Sequence, residues 1–396
     1  MKKWFLPLVS ALFLIVSCGG TTGTEPENKG LAGFSVEFAD DFDPGSPEKR
    51  ISNPDLKEGI PATISITALG YDKKPLTDYN GKVEMSMLYG SIRPAGVNNV
   101  EIDIVNGKSE NVTVRMRNCL DYDRVVVQEK NSKGEFTGKI GVSPVFYTQV
   151  ATISAIQGNI VEDGKANSGY NSMFNGRNLT LKDRKMVVIA VIEGGFYLYE
   201  VGVEDYSSIY MYTYSTPYVD DNVEEAMSLP VGTLIESANG SVFEFFGFTE
   251  MSFPTFHPVY EEKNGKKVLK IDEDLIPEPY DISGILDNGS EMEKHEASLV
   301  TVKDVSVAWF NENDSSFVEY SQFPLETSDG KTIMAQTLYT APLFNAVAEK
   351  PAKENGKSKH TYDFTGILKQ HTSARPSTWI LVPRSMKDIK CLDCKE

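Results

Sequence analysis

The sequence predicts an all-β protein, a β-sandwich in the first third followed by two further β-modules. Three observations lead there. Apolar and polar residues alternate with period two in short runs separated by Gly, Pro and Asn, the pattern of half-buried strands. No stretch of convincing length carries a helical period; the best, Asp221 to Leu229, is short and acidic. The later part of the chain holds two blocks of aromatic-rich strands, so the repetition lies between whole modules and not in a short solenoid period.

The N-terminus comes first. Met1-Lys2-Lys3 is basic, and Phe5 to Val16 is an apolar run too short to anchor by spanning a bilayer. Leu14-Ile15-Val16-Ser17-Cys18 closes it. This resembles the lipobox of bacterial lipoproteins. The resemblance implies cleavage of residues 1–17 as a signal peptide, a diacylglycerol on the Cys18 thiol and acylation of the new amino terminus. Each buried CH₂ of such chains contributes roughly 0.8 kcal/mol, so several chains together hold firmly. Residues 18–30 are Gly/Thr-rich and read as a flexible tether. In that family an Asp after the lipidated cysteine retains the protein at the inner membrane; Gly19 stands there instead, so the resemblance implies anchoring at the outer membrane in an organism that has one.

From 31 to 149 the alternating runs are Phe34–Phe38, Ala62–Ala68, Gly81–Met87, Val100–Ile104, Val112–Met116 and Arg124–Gln128. Regular spacing with turn residues between them indicates a sandwich. With its Tyr71-Asp72 turn, the run Tyr79-Asn80-Gly81-Lys82-Val83 and the Val105-Asn106-Gly107 turn, this stretch resembles the bacterial Ig-like domains of surface proteins, which serve as spacers or adhesion modules.

The texture changes at about residue 150. Met186–Ile192, Gly194–Tyr199, Ser208–Tyr212, Gly232–Ile235 and Val242–Met251 are the core pieces of a module spanning 150–276. This order of strands resembles the OB-fold modules of secreted bacterial lipoproteins and extracellular nucleases. A second such module spans 277–396. It opens on Pro277-Glu-Pro279-Tyr-Asp-Ile282 and the acidic Glu293–Glu296 segment, which leads into Leu299–Val305. It closes on Phe364-Thr-Gly366-Ile367-Leu368 and Trp379–Ile389. The predicted fold is thus an Ig-like sandwich followed by two OB-like barrels.

Composition limits the partners. Lys and Arg number 39 against 56 Asp and Glu, a net charge of −17, and loss of Lys2 and Lys3 on cleavage deepens it. Capture of polyanions depends on clustered Lys/Arg that displace counterions, so nucleic acid is an unfavoured partner. The balance suits a body standing off a membrane surface. Of 4 cysteines, Cys119, Cys391 and Cys394 lie beyond Cys18, and three cannot all pair within one chain. Cys391-Leu-Asp-Cys394 has a spacing shared by redox and zinc sites. A structural disulfide or two idle thiols is the plainer reading, because zinc needs about four ligands.

Chemistry is sparse. The sequence has no H-E-x-x-H, G-x-S-x-G, Walker or EF-hand pattern. His257, His295, His360 and His371 are scattered without ligand spacing. Asp40, Asp41 and Asp43, and likewise Asp220 and Asp221, read as solvated loop acids in preference to a Ca²⁺ site. No catalytic residue, cofactor or metal is assigned. One stripe carries weight as a binding site. Tyr210, Tyr212 and Tyr214 recur every second residue and so share one face of a strand; Tyr197 and Tyr199 do the same on the strand before. OB folds bind oligonucleotides and oligosaccharides on that pair of strands. Packing of the same rings against a neighbouring module is the competing expectation. The function expected is non-enzymatic: an envelope lipoprotein, held to the membrane through lipid on Cys18, that binds or scaffolds an envelope protein or glycan. The alternative is a nucleic-acid-binding accessory related to extracellular nucleases.

Overall fold

A computed structural model describes residues 30–53, 55–94, 101–158, 160–162, 170–192, 194–219, 228–354, 356–371 and 378–394. The predicted signal peptide, Cys18 and nearly all of the tether lie outside the described residues. So do Asp220, Asp221 and most of the stretch read as the best helical candidate.

The described chain is all-β. Its helices are single turns or little more, such as Ile153–Gly158 and Gly289–Glu293, and none is long and apolar enough to cross a membrane. Three large sheets follow one another along the sequence.

The first has eight strands, in the order Ser91–Pro94, Lys108–Arg117, Ile60–Gly70, Leu31–Phe38, Phe136–Val142, Val125–Lys130, Gly81–Met87 and Glu101–Ile104. Alternation places Ile60, Ala62, Ile64, Ile66 and Ala68 in the core, with Thr63, Ser65 and Thr67 half-buried on the other face. Val83, Met85, Val114, Met116, Val125 and Val127 meet them, each large apolar side chain contributing about 1.5–3 kcal/mol on burial. Leu31–Phe38 is the hinge of the arrangement. It runs antiparallel to Ile60–Gly70 on one side and parallel to Phe136–Val142 on the other. The parallel contact is close enough that a Cβ on Gly141 would stand 2.6 Å from the Phe34 carbonyl oxygen.

The second sheet closes on itself. Met186–Ile192, Gly195–Glu200, Ser208–Tyr212, Phe248–Pro258 and Leu234–Phe245 form a ring, and the last strand pairs back to the first. Numbered by chain order, the ring runs 1-2-3-5-4 and returns to 1. The pair 3–5 is parallel, whereas 1–2, 2–3, 4–5 and 1–4 are antiparallel. Phe196, Leu198, Ile209, Met211, Val242 and Met251 fill the interior. The fourth and fifth strands differ from the sequence reading of Gly232–Ile235 and Val242–Met251. One strand runs unbroken through Gly240, and the hairpin turns at Phe246-Gly247, both at positive φ (54° and 85°). That backbone matches strand twist, and Phe246 is an unusual residue to supply it.

The third sheet repeats the ring with Leu299–Val307, Gln322–Thr327, Thr332–Gln336, Thr378–Val382 and Tyr362–His371. Strands three and five are again parallel, and one and four antiparallel. Val300, Val302, Phe323, Leu325, Ala335, Phe364, Leu368 and Leu381 make its core. The hairpin 322–336 was not among the expected strands; Pro324 interrupts its pattern, and its turn is carried by Asp329-Gly330.

The three bodies share cores at their junctions. Leu56 and Leu120 of the first pack with Ile153, Ile156 and Phe174 beside the second. Arg177 donates to the Asn118 carbonyl there. Between the two rings, Val187, Ile189, Tyr197, Tyr210 and Phe248 pack on Ala297, Leu299 and Ile367.

Candidate functional site

Tyr197, Tyr199, Tyr210 and Tyr212 lie on the outer surface of strands two and three of the middle ring, because Phe196, Leu198, Ile209 and Met211 take the inner one, and Tyr214 follows two residues past the end of strand three. Along that surface the environment changes from dry to wet. Tyr197 is 1% exposed and Tyr210 8%, both covered by the C-terminal ring. Tyr199 is half-buried and its hydroxyl donates to the Val203 carbonyl, 3.3 Å away. Tyr212 is half-buried and Tyr214 is 73% exposed. The rings run on in contact: Tyr197 to Tyr210 at 4.7 Å, Tyr210 to Tyr212 at 6.2 Å, Tyr212 to Tyr214 at 6.1 Å. Tyr197 and Tyr210 therefore belong to the seam between the rings, and any ligand-binding role of the stripe falls to its outer end.

A residue the sequence reading missed completes that end. Phe253, on the fifth strand, is 71% exposed and lies 5.9 Å from the Tyr212 ring and 6.5 Å from Tyr214. It sits where the register between the fourth and fifth strands slips, between the pairs Asn239↔Thr255 and Ser241↔Ser252. Its backbone is left-handed, φ 49°, and that of Tyr214 is too, φ 67°. For residues with a Cβ this region costs about 1–2 kcal/mol, and neither ring regains it by burial. Bulges and left-handed bulky residues recur where a side chain must be aimed.

A second cluster lies inside the seam. Glu244 comes from the fourth strand of the middle ring; Glu293 and Glu296 come from the helix and turn that lead into the C-terminal ring. The last two are 2% and 1% exposed. Thr249 bridges the bodies: its backbone N–H donates to Glu296 Oε1 at 3.1 Å and its hydroxyl to Glu244 Oε1 at 2.7 Å. The backbone N–H of Ser172 also donates to Glu244 Oε1, at 2.7 Å. Oε2 of Glu244, Glu293 and Glu296 has no hydrogen-bond partner among the described residues. Burial pushes all three carboxyls up, Glu244 to about 7 and Glu293 to about 9, and Glu296 also rises; repulsion adds to it, from Glu250 on Glu244, from Glu244 on Glu293, and from both Glu293 and Glu244 on Glu296. At neutral pH Glu293 is therefore protonated and Glu244 is near its midpoint, and carrying protons is how such carboxyls can be buried. Nearby, burial lowers Lys369, whose ammonium lies 5.6 Å from the centre of the Phe248 ring and is attracted to Glu250. The acidic segment 293–296 was visible in the sequence as a junction; that it folds under the seam depends on partners 40 to 50 residues away.

The remaining polar candidates are dispersed. Asp43 pairs with Lys49 at 2.8 Å on the surface, while Asp40 and Asp41 are exposed. His257 is exposed, and His295 stacks under Tyr280 with ring centres 3.9 Å apart. His371 faces Phe246 at 4.9 Å. His360 does meet a carboxylate: its Nδ1 is 2.8 Å from Glu349 Oε2. Cys119 is buried with its thiol free, and Cys391 and Cys394 are joined as a disulfide. Comparison with known proteins finds no family model, curated relative or solved structure that matches this chain.

Proposed function

We propose that this protein is a lipid-anchored lipoprotein of the cell envelope, held through Cys18 at the outer membrane, that works by binding and not by catalysis. In this reading 31–149 is an Ig-like spacer, and 150–276 and 277–396 are OB-like modules. The ligand is a glycan of the envelope or its surroundings, taken by the middle module.

Support for the module assignment comes from connectivity. A five-stranded ring in the order 1-2-3-5-4, closed through 1–4 with 3 parallel to 5, occurs twice and agrees with the OB-like reading of both modules. In the first body, a leading strand that pairs antiparallel to one half-sheet and parallel to the other fits an Ig-like sandwich. The single observation that carries the binding role is the Tyr212–Tyr214–Phe253 cluster: three touching rings, two of them solvent-facing on left-handed backbone. Flat aromatic faces bearing hydroxyls suit the apolar faces of sugars, with an apolar body and a polar tip on each tyrosine. The net charge of −17 weighs against an oligonucleotide on the same platform.

The experiment is a glycan array probed with the full chain and with the triple variant Tyr212→Ser/Tyr214→Ser/Phe253→Ser. Native binding to a defined set of sugars, lost in a variant that still unfolds cooperatively, supports the reading. Binding to single-stranded DNA that weakens steeply with salt, with none to sugars, transfers the function to the nuclease-accessory alternative. Anchoring is tested separately by metabolic labelling with a palmitate analogue, which Cys18→Ala should abolish.

A further inference from the structure

The C-terminal ring carries a group of side chains that the binding role does not use. One imidazole nitrogen of His360 and the sulfurs of Cys391 and Cys394 all lie within 4.8 Å of one another. His360 is held from behind. Its Nδ1 contacts Glu349 Oε2 at 2.8 Å, Glu349 Oε1 is 3.7 Å from Lys359 Nζ, and the Tyr362 hydroxyl also bonds Glu349. Burial works to raise the Glu349 carboxyl, but the hydrogen bonds from His360 and Tyr362 outweigh it and leave it below its ordinary value. A carboxylate there fixes the orientation of the ring.

The disulfide is poorly placed to act as a staple. It closes a loop with only Leu392 and Asp393 inside it, and the constraint a disulfide puts on the unfolded chain grows with loop length. The strand bearing it, Ile389–Cys391, is short and pairs with a single neighbour, Tyr362–His371. Leu392, Asp393 and Cys394 are all exposed, and Cys391 is partly covered. The backbone N–H of Cys394 donates to Cys391 Sγ at 3.0 Å. Cys394 is thus open to attack, while Cys391 Sγ accepts a backbone N–H and lies within 4.8 Å of the imidazole nitrogen, as a leaving thiolate requires. The opposing charge is Asp393, with Oδ1 3.8 Å from Cys391 Sγ. Reduced, the group would offer two thiolates and one imidazole, one ligand short of a structural zinc site.

We infer that Cys391–Cys394 is an exchange-active disulfide that oxidises dithiols, with His360 as the residue that positions and stabilises the Cys391 thiolate. A thiolate of the dithiol substrate attacks Cys394 Sγ. The Cys391–Cys394 bond breaks, and its electron pair leaves on Cys391 Sγ. The substrate's second thiol then gives up its proton and attacks its own mixed-disulfide sulfur, releasing Cys394 as thiolate. The substrate ends as a disulfide, having passed two electrons to the Cys391/Cys394 pair, which is left reduced, and its two protons pass to the cysteine sulfurs or to water. Stabilising one thiolate of the reduced pair makes the disulfide the stronger oxidant.

The test is equilibration of the full chain in glutathione buffers of graded ratio, followed by acid quench, alkylation and mass mapping of the C-terminal peptide. The pair should titrate between its oxidised and reduced forms within the accessible glutathione range. His360→Ala should shift the equilibrium at least fivefold toward the disulfide, and Asp393→Asn should shift it the opposite way. In Cys394→Ser, the pH profile of Cys391 alkylation should lie below that of an ordinary thiol and move up when His360→Ala is added. A role in packing alone would not move that profile. A pair that stays oxidised at every glutathione ratio, or an alkylation profile indifferent to His360, overturns the inference.

Discussion

Phe253 and Tyr214 show how a single residue can report on function through backbone. Both combine a bulky aromatic, a left-handed φ and a ring that is mostly in water. Folding alone offers nothing in return for that combination, and Gly or Asn would fill either position at lower free energy. Tyr214→Gly is therefore expected to leave the melting temperature unchanged or raise it by a few degrees, about 0.5–1 kcal/mol net of the entropy glycine adds, as differential scanning calorimetry would show. Tyr210→Ser should act oppositely. It removes a nearly buried ring from the seam and should cost about 3–5 kcal/mol, the range of large aromatic truncations. At this scale the sequence was partly legible. Period-two spacing anticipated that Tyr210 and Tyr212 share one face of Ser208–Tyr212 with Ile209 and Met211 on the other, whereas Tyr214 lies beyond that strand on left-handed backbone. What it could not reveal was where along that face the neighbouring ring stops. That boundary is set by Ala297, Leu299 and Ile367, roughly ninety residues or more further on. Phe253 was hidden for the same reason, since its neighbours come from a parallel strand pair.

Strands with unbroken alternation were the most legible elements. Gly81–Met87 occupies the span its pattern predicts, because it buries one set of residues and needs no distant partner to explain its period; Met186–Ile192 was legible instead as a continuous apolar run, one set facing the core of its own ring and the other the C-terminal ring. Strands that depart from alternation were lost or divided. Leu234–Phe245 passes through Gly240 at a register slip, and Gln322–Thr327 contains Pro324. Gly141 illustrates a position whose importance is invisible in sequence: its strand lies so close to Leu31–Phe38 that a methyl group would strike the Phe34 carbonyl at 2.6 Å. Gly141→Ala should destabilise the first body by about 1–3 kcal/mol through forced separation of the two strands. Urea unfolding followed by a probe in 31–149 would register this as a lower midpoint with little change in slope.

The molecule as a whole is joined by a seam that depends on protons. Glu244, Glu293 and Glu296 have native values pushed above their ordinary one, so the folded form binds protons more tightly than the unfolded chain does. Their contribution is complete below the ordinary carboxyl value, and it is lost as pH rises through about 7 for Glu244 and about 9 for Glu293. Stability should accordingly fall between pH 6 and pH 9. Glu293→Gln, which keeps shape and removes the charge, should flatten that slope and stabilise the protein at pH 8 by about 1–3 kcal/mol. Melting curves across that pH range check both statements; a slope unaltered by Glu293→Gln would place the titrating groups elsewhere. A seam of this kind fixes the exposed end of the tyrosine stripe relative to the second ring, and so belongs to the binding reading as well as to stability.

On the proposed reading, the exposed aromatic cluster is held at a cost in stability because it binds sugar. The most direct measurement pairs calorimetric stability with titration of the strongest array ligand, for the native chain and for Phe253→Gly. Phe253→Gly is expected to show a melting temperature equal to or above native together with at least a tenfold loss of affinity. Native affinity in Phe253→Gly, at whatever stability, would contradict it.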